Sequence, residues 1–79
     1  MYYVYRLESL KFPDQKYTGV TVDIVQRLES HNNGQVSHTS KYKPWKLVNY
    51  FAFSDQNRAR AFEKYLKSGS GRAFAKRHL

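Results

Sequence analysis

Two β-forming runs near the N-terminus constrain the fold more than any other feature of the chain. YYVYRLES reads as a strand from about Tyr2 to Glu8, and KYTGVTV as a second strand. The segment LKFPDQ between them is short, and its Pro13-Asp14 pair marks a turn. A parallel pairing would need a crossover of about a dozen residues or more, so the spacing predicts an antiparallel hairpin.

The remaining pattern adds elements one at a time. Asp23, with Gln26 three residues on, has the form of a helix N-cap and capping box. Ile24 and Leu28, one turn apart, give that helix an apolar stripe, and HNNG ends it. QVSHTSKYK has no period and reads as a loop. After Pro44, WKLVNYFAF reads as a third strand, with Trp45, Leu47, Phe51 and Phe53 on one face and Asn49 interrupting it. Ser54 is the expected N-cap of DQNRARAFEKYLKS, whose apolar side is Ala59, Phe62 and Leu66. Gly69 fits that helix's end, and GRAFAKRHL makes a last short helix anchored by Phe74 and Leu79. The expected order is β-β-α-β-α-α: a three-stranded antiparallel sheet flanked by helices, class α+β, in one domain over residues 1–79.

A domain this small buries only roughly 60% of the surface its unfolded chain exposes. It has no cysteine, so neither disulfides nor a Cys-based zinc site can assist, which also suits a reducing, cytoplasmic setting. The core must come from aromatics, of which there are seven Tyr, five Phe and one Trp. No apolar run is long enough to span a bilayer. The net charge is +8, and all of it lies in residues 35–79, because residues 1–34 balance four basic groups against four acidic ones. So one-sided a field favours a polyanion, and aromatics interleaved with the cations favour nucleic acid over lipid.

Five polar side chains and one glycine stand out. Arg27 and His31 share a helix face, bordering the Ile24/Leu28 stripe. A guanidinium grips two phosphate oxygens at once, and an imidazole can donate to a phosphate or move a proton. Taken alone, the pair reads more simply as a solvated helix face. Tyr5 and Tyr17 lie one on each strand of the hairpin. Gly19, two residues after Tyr17, points to the same face and suggests a bare floor on which a substrate sits. Glu63 is one of two acids in the basic half. Its plain reading is an i, i+4 pair with Lys67, worth roughly 0.2–0.5 kcal/mol. Its functional reading is a carboxylate for a hard divalent cation, with water and substrate phosphate completing the shell.

Together, YVY at Tyr3–Tyr5, YTG at Tyr17–Gly19, Arg27 with His31, and Glu63 in RAFEKYLKSG resemble the GIY-YIG nuclease domain family. HNNG, KPWKLV and EKYLKSGSGR resemble its small stand-alone bacterial members in particular. The resemblance spans nearly the whole chain. It implies a DNA-cutting enzyme using Mg²⁺ or Mn²⁺, with Glu63 as metal ligand and Tyr17 as base or water-orienting group. Tyr5 would help position the water or the scissile phosphate. Arg27 would stabilise the phosphorane charge, and His31 would assist at the phosphate or leaving oxygen. The chain departs from the family pattern in carrying Tyr3 for Gly, Thr18 for Ile, and no Asn between Glu63 and Leu79, where Ser68 or Ser70 stands instead.

Lys41, Lys43, Arg58 and Arg72 are the expected backbone grips. Nothing resembles a base-reading helix, so specificity is expected to be low, structural, or supplied by a protein partner. Two other readings use the same residues. One is a basic DNA- or RNA-binding module on the same fold that does not cut. The other is a small RNA-associated protein that stacks bases on Tyr42 or Trp45.

Overall fold

Val4, Tyr5, Arg6 and Leu7 are four consecutive buried residues, the mark of a strand covered on both faces. The computed structural model, which describes residues 1–79, places their strand, β1 (Tyr2–Ser9), at the centre of the sheet. It is flanked by β2 (Lys16–Thr21) and β3 (Trp45–Phe53), both antiparallel to it. Helix α1 (Ile24–Asn32) follows β2, a 3₁₀ turn over Ser40–Tyr42 precedes β3, and α2 (Gln56–Lys67) and α3 (Gly69–His78) close the chain. The architecture is therefore the expected α+β order, β-β-α-β-α-α.

Two small cores lie back to back across β1. Tyr5, Leu7 and Trp45 form one, with Leu28 of α1 and Tyr17, Tyr42 and Leu47 against it. Val4, Ala59 and Leu66 form the other, with Val20, Phe53, Phe62 and Leu79 around them. The expectation that Trp45, Leu47, Phe51 and Phe53 share a face does not hold. The β1–β3 register shifts between Arg6, opposite Asn49, and Leu7, opposite Leu47, leaving Val48 as an extra residue. One inserted residue reverses the alternation beyond it. Trp45 and Leu47 accordingly face α1, whereas Phe51 and Phe53 cross to α2 and meet the Phe62 ring at 5.0 and 5.6 Å between centroids.

The helix ends follow local chemistry. Asp23 caps α1 by accepting from the Gln26 amide at 3.1 Å. The reciprocal arm of a capping box is not made, because the Gln26 side chain donates to Ser30 Oγ and the Asp23 amide donates to Thr21 Oγ1. α2 is capped by Asp55 rather than Ser54. It ends without help from Gly69: Ser68 Oγ donates to the Tyr65 carbonyl at 2.6 Å and accepts from the Gly71 amide at 3.1 Å. One hydroxyl thus finishes α2 and starts α3. Phe74 does not anchor α3, since it stays 36% exposed; the buried members are Gly71 and Ala75, and Leu79 joins the Val4 core.

Asn32 ties the end of α1 to the start of β3 in both directions, accepting from the Trp45 amide at 2.6 Å and donating to the Trp45 carbonyl at 3.0 Å. Trp45 Nε1 donates to the Thr39 carbonyl at 2.9 Å. These bonds pin residues 33–44 against the α1 face. No helix is long and apolar enough to cross a membrane.

A Cβ on Gly71 would collide with the backbone carbonyl of Tyr65, which no rotamer change can relieve. Gly71→Ala is therefore expected to lower stability by roughly 1–3 kcal/mol, read as a shifted urea midpoint; an unshifted midpoint would show that the joint is slack.

Candidate active site

Gly19 lies directly across the ladder from Tyr5, and Tyr17 across from Leu7. A Cβ on Gly19 would fall 2.6 Å from Tyr5 Oη and 2.9 Å from Tyr17 Cε2. The glycine is therefore the space in which two tyrosine rings converge, with centroids 6.1 Å apart. The expected substrate floor is filled by these rings, so Gly19 shapes the site without offering a surface of its own.

The Arg27/His31 face of α1 turns toward this pair. His31 is 0% exposed, which rules out the solvated-face reading. Its Nε2 lies 2.9 Å from Tyr5 Oη, its Nδ1 lies 2.8 Å from Thr39 Oγ1, and its ring lies 4.8 Å from that of Tyr17. Thr39 Oγ1 donates its one proton to the Val36 carbonyl, so it accepts from His31 Nδ1–H. Nε2 is then bare and accepts from the Tyr5 hydroxyl, which accepts in turn from Arg27 Nε at 3.4 Å. The result is one directed chain: Arg27 to Tyr5 to His31 to Thr39 to Val36.

The electrostatics agree. Burial, and then the Arg27 charge, pull the His31 pKa down to about 4, so the ring is neutral near pH 7. Burial pushes the Tyr5 hydroxyl up to about 12 against the opposing pull of its Arg27 hydrogen bond. That same bond raises Arg27 above its ordinary value. Tyr5 is thus a fixed protonated phenol and Arg27 a fixed cation. Both His31 nitrogens are occupied and the ring is sealed from solvent, so His31 stands behind Tyr5 and does not reach a phosphate.

Glu63 comes from the opposite side of the sheet. Its Oε2 accepts from Lys67 Nζ at 3.0 Å, the pair that their spacing suggests, and Lys67 Nζ lies 5.9 Å from the Tyr17 ring. β2 is an edge strand, so an α2 side chain can reach round it. The carboxylate therefore joins Tyr17 at the sheet edge through Lys67. No group of three His, Asp or Glu side chains converges anywhere. The donor set fits a hard divalent cation only in the form Mg²⁺ often takes, with one carboxylate and the rest of the shell from water and phosphate.

The remaining site residues are not gathered into one patch. Lys41 lies over the Tyr42 ring at 5.3 Å, Lys43 is exposed in the same loop, and Arg58 lies 3.9 Å from Asp55 at the start of α2. Arg72 projects from α3 into a groove on the α2/α3 face. Trp45 is 4% exposed with its indole N–H committed, so it cannot stack on bases. Ser68 spends its hydroxyl on the helix joint and does not stand in for the missing Asn. Thr39 is the residue the sequence does not single out. It lies in an aperiodic loop, and its only signal is its distance in space from His31.

His31 is neutral in the folded state down to about pH 4, but takes up a proton near pH 6.5 when unfolded. Its contribution is thus complete above the higher value and is lost as pH falls through the lower one, a loss of about 3 kcal/mol. His31→Gln should be less stable than wild type at neutral pH yet show a flatter fall in urea midpoint on acidification. Equal slopes would contradict the buried neutral ring.

Residues 1–77 match the family model described as the GIY-YIG catalytic domain. A UPF0213 protein from Pediococcus acidilactici is 37% identical over 57 residues, which span 68% of this chain and 58% of that protein. The solution NMR structure of a UPF0213 protein from Bacillus halodurans has 32% identity and a TM-score of 0.56, covering 96% of this chain and 81% of the other. With a family model spanning nearly its whole length and a fold shared with a UPF0213 structure, the chain belongs to the GIY-YIG catalytic domain family.

Proposed function

We propose that residues 1–79 act as one metal-dependent endonuclease domain, which hydrolyses a phosphodiester bond in nucleic acid and nicks DNA with low sequence specificity. GIY-YIG domains are generally nucleases. The observation that carries the reading for this chain is the convergence of Arg27, Tyr5 and Tyr17 over Gly19, with Glu63 brought to the same sheet edge. A cytoplasmic setting belongs to this reading.

Phosphodiester hydrolysis needs an aligned water, neutralised charge and help for the leaving oxygen. Arg27 supplies fixed positive charge where the phosphorane becomes more negative. Tyr5, buried, held protonated and pinned by His31, keeps the guanidinium in place and so helps position the water or the scissile phosphate through Arg27. Tyr17, half-buried at the edge, orients that water or relays its proton. Glu63 would hold Mg²⁺ or Mn²⁺, which when bound supplies Lewis-acid charge at a phosphate oxygen. Lys67 holds the same carboxylate and is the group that would have to give way to a cation there. Lys41, Lys43, Arg58 and Arg72 act as scattered phosphate grips, which suits a protein whose specificity is structural or supplied by a protein partner.

The Glu63–Lys67 ion pair favours a second reading, a basic DNA- or RNA-binding module in which the carboxylate is structural. Plasmid nicking separates the two. Wild type should nick with Mg²⁺ or Mn²⁺ and not with EDTA. Glu63→Ala and Arg27→Ala should each cut at least roughly 100-fold more slowly while binding DNA. Nicking unchanged by Glu63→Ala would remove the metal assignment, and binding without cutting of any duplex, flap or branched DNA would favour the module.

A further inference from the structure

The α2/α3 helices cover only one end of their face of the sheet. At the other end a groove of about 900 Å³ lies open between β1, β2 and α3. At its floor is Arg6, only 9% exposed and therefore more than nine-tenths buried. Its side chain makes no hydrogen bond and no ion pair within the protein, and its nitrogens reach the groove; its cross-strand neighbour Asn49 keeps a buried Oδ1 without a partner, so the guanidinium is not spent there. The buried part is the apolar stem, and the donors stay free at the bottom of the groove, where they can meet an anion from outside the chain.

The rest of the lining indicates what that is. Arg72 and Lys76 of α3 line the groove with no acidic partner; of its two acids, Glu8 is neutralised by Lys16 at 3.1 Å and Lys46 at 3.5 Å, and the exposed Asp14 is outnumbered by the cations. Val48 and Leu66 supply apolar wall between the cations. A floor guanidinium, rim cations and apolar patches suit a flexible polyanion with flat apolar units, which is a single nucleic-acid strand. A duplex holds its phosphates on the outside of a stiff rod and hides its bases, so it cannot lower a phosphate to Arg6 or use the walls. The groove also leads somewhere: Tyr17 and Lys67 line its mouth, and Lys67 is the side chain that connects Glu63 to Tyr17.

We propose that this groove takes an unpaired strand of the substrate, such as a flap or frayed end, and guides it to Tyr17. The inference rests on the nuclease reading for its destination, but the groove's own test needs no cleavage. Fluorescence anisotropy in EDTA compares a labelled single-stranded DNA of about a dozen nucleotides with a blunt duplex of the same sequence. Wild type binds the single strand more tightly. Arg6→Met, which keeps the buried stem and removes the donors, weakens single-strand binding roughly tenfold and duplex binding much less. The double variant Arg72→Glu/Lys76→Glu changes only exposed positions and should show the same selective loss, so the test survives if Arg6→Met does not fold.

A folded Arg6→Met that binds the single strand as wild type does would overturn the proposal. So would an equal loss on both DNA forms, or a rim variant that binds normally. Arg6-dependent single-strand binding by a protein that never nicks plasmid would remove the nuclease reading and leave the groove standing. Plasmid nicking without any single-strand preference would remove the groove alone.

Discussion

A neutral imidazole sealed from water needs a donor at one nitrogen and an acceptor at the other. Leaving either unmet costs about 1–3 kcal/mol. His31 finds its donor in Tyr5, on the central strand, and its acceptor in Thr39, in the loop that follows its own helix. Neither partner is near it in the chain's local geometry. The sheet, α1 and the loop must all be in place at once. Asn32 and the Trp45 indole secure that by fastening the loop to the head of β3. Structure and chemistry share this network, because the hydroxyl that satisfies His31 is also the one that steadies Arg27.

The edge position of β2 is the second requirement. Tyr17 points to the α1 side, while Glu63 belongs to a helix on the far side. Inside a wide sheet the two would be kept apart by neighbouring strands. At an edge a lysine stem can reach round, as Lys67 does. A three-stranded sheet is thus a condition of the site, since every strand but the central one is an edge.

Much of the fold is legible in the residues. The hairpin follows from two β runs and a short turn, and α1 begins where Asp23 can cap it. The boundaries of β3 are those of WKLVNYFAF. What escapes is whatever depends on a partner distant in sequence. The bulge at Val48 leaves only one trace, the polar Asn49 breaking an apolar alternation, and that break marks where the side chains change faces. Gly19 signals close approach, but whether a ligand or two phenols come near is decided by α1. The Arg27/His31 spacing shows a shared face without showing that it turns inward. Thr39 has no periodic or compositional signature at all. The family is legible because its pattern runs along nearly the whole chain; the groove around Arg6 is not, because Arg6 sits in a β-rich run like any packing residue.

Ser68 has a mechanical consequence. Because its single hydroxyl is shared between the last turn of α2 and the first turn of α3, and Gly71 leaves no slack beneath it, the two helices form a stiff bracket with a fixed corner. The carboxylate of Glu63 rides on one arm, and Arg72 and Lys76 ride on the other. A load on the second arm is therefore transmitted as torque to the first, so that Glu63, Arg72 and Lys76 move as one rigid body.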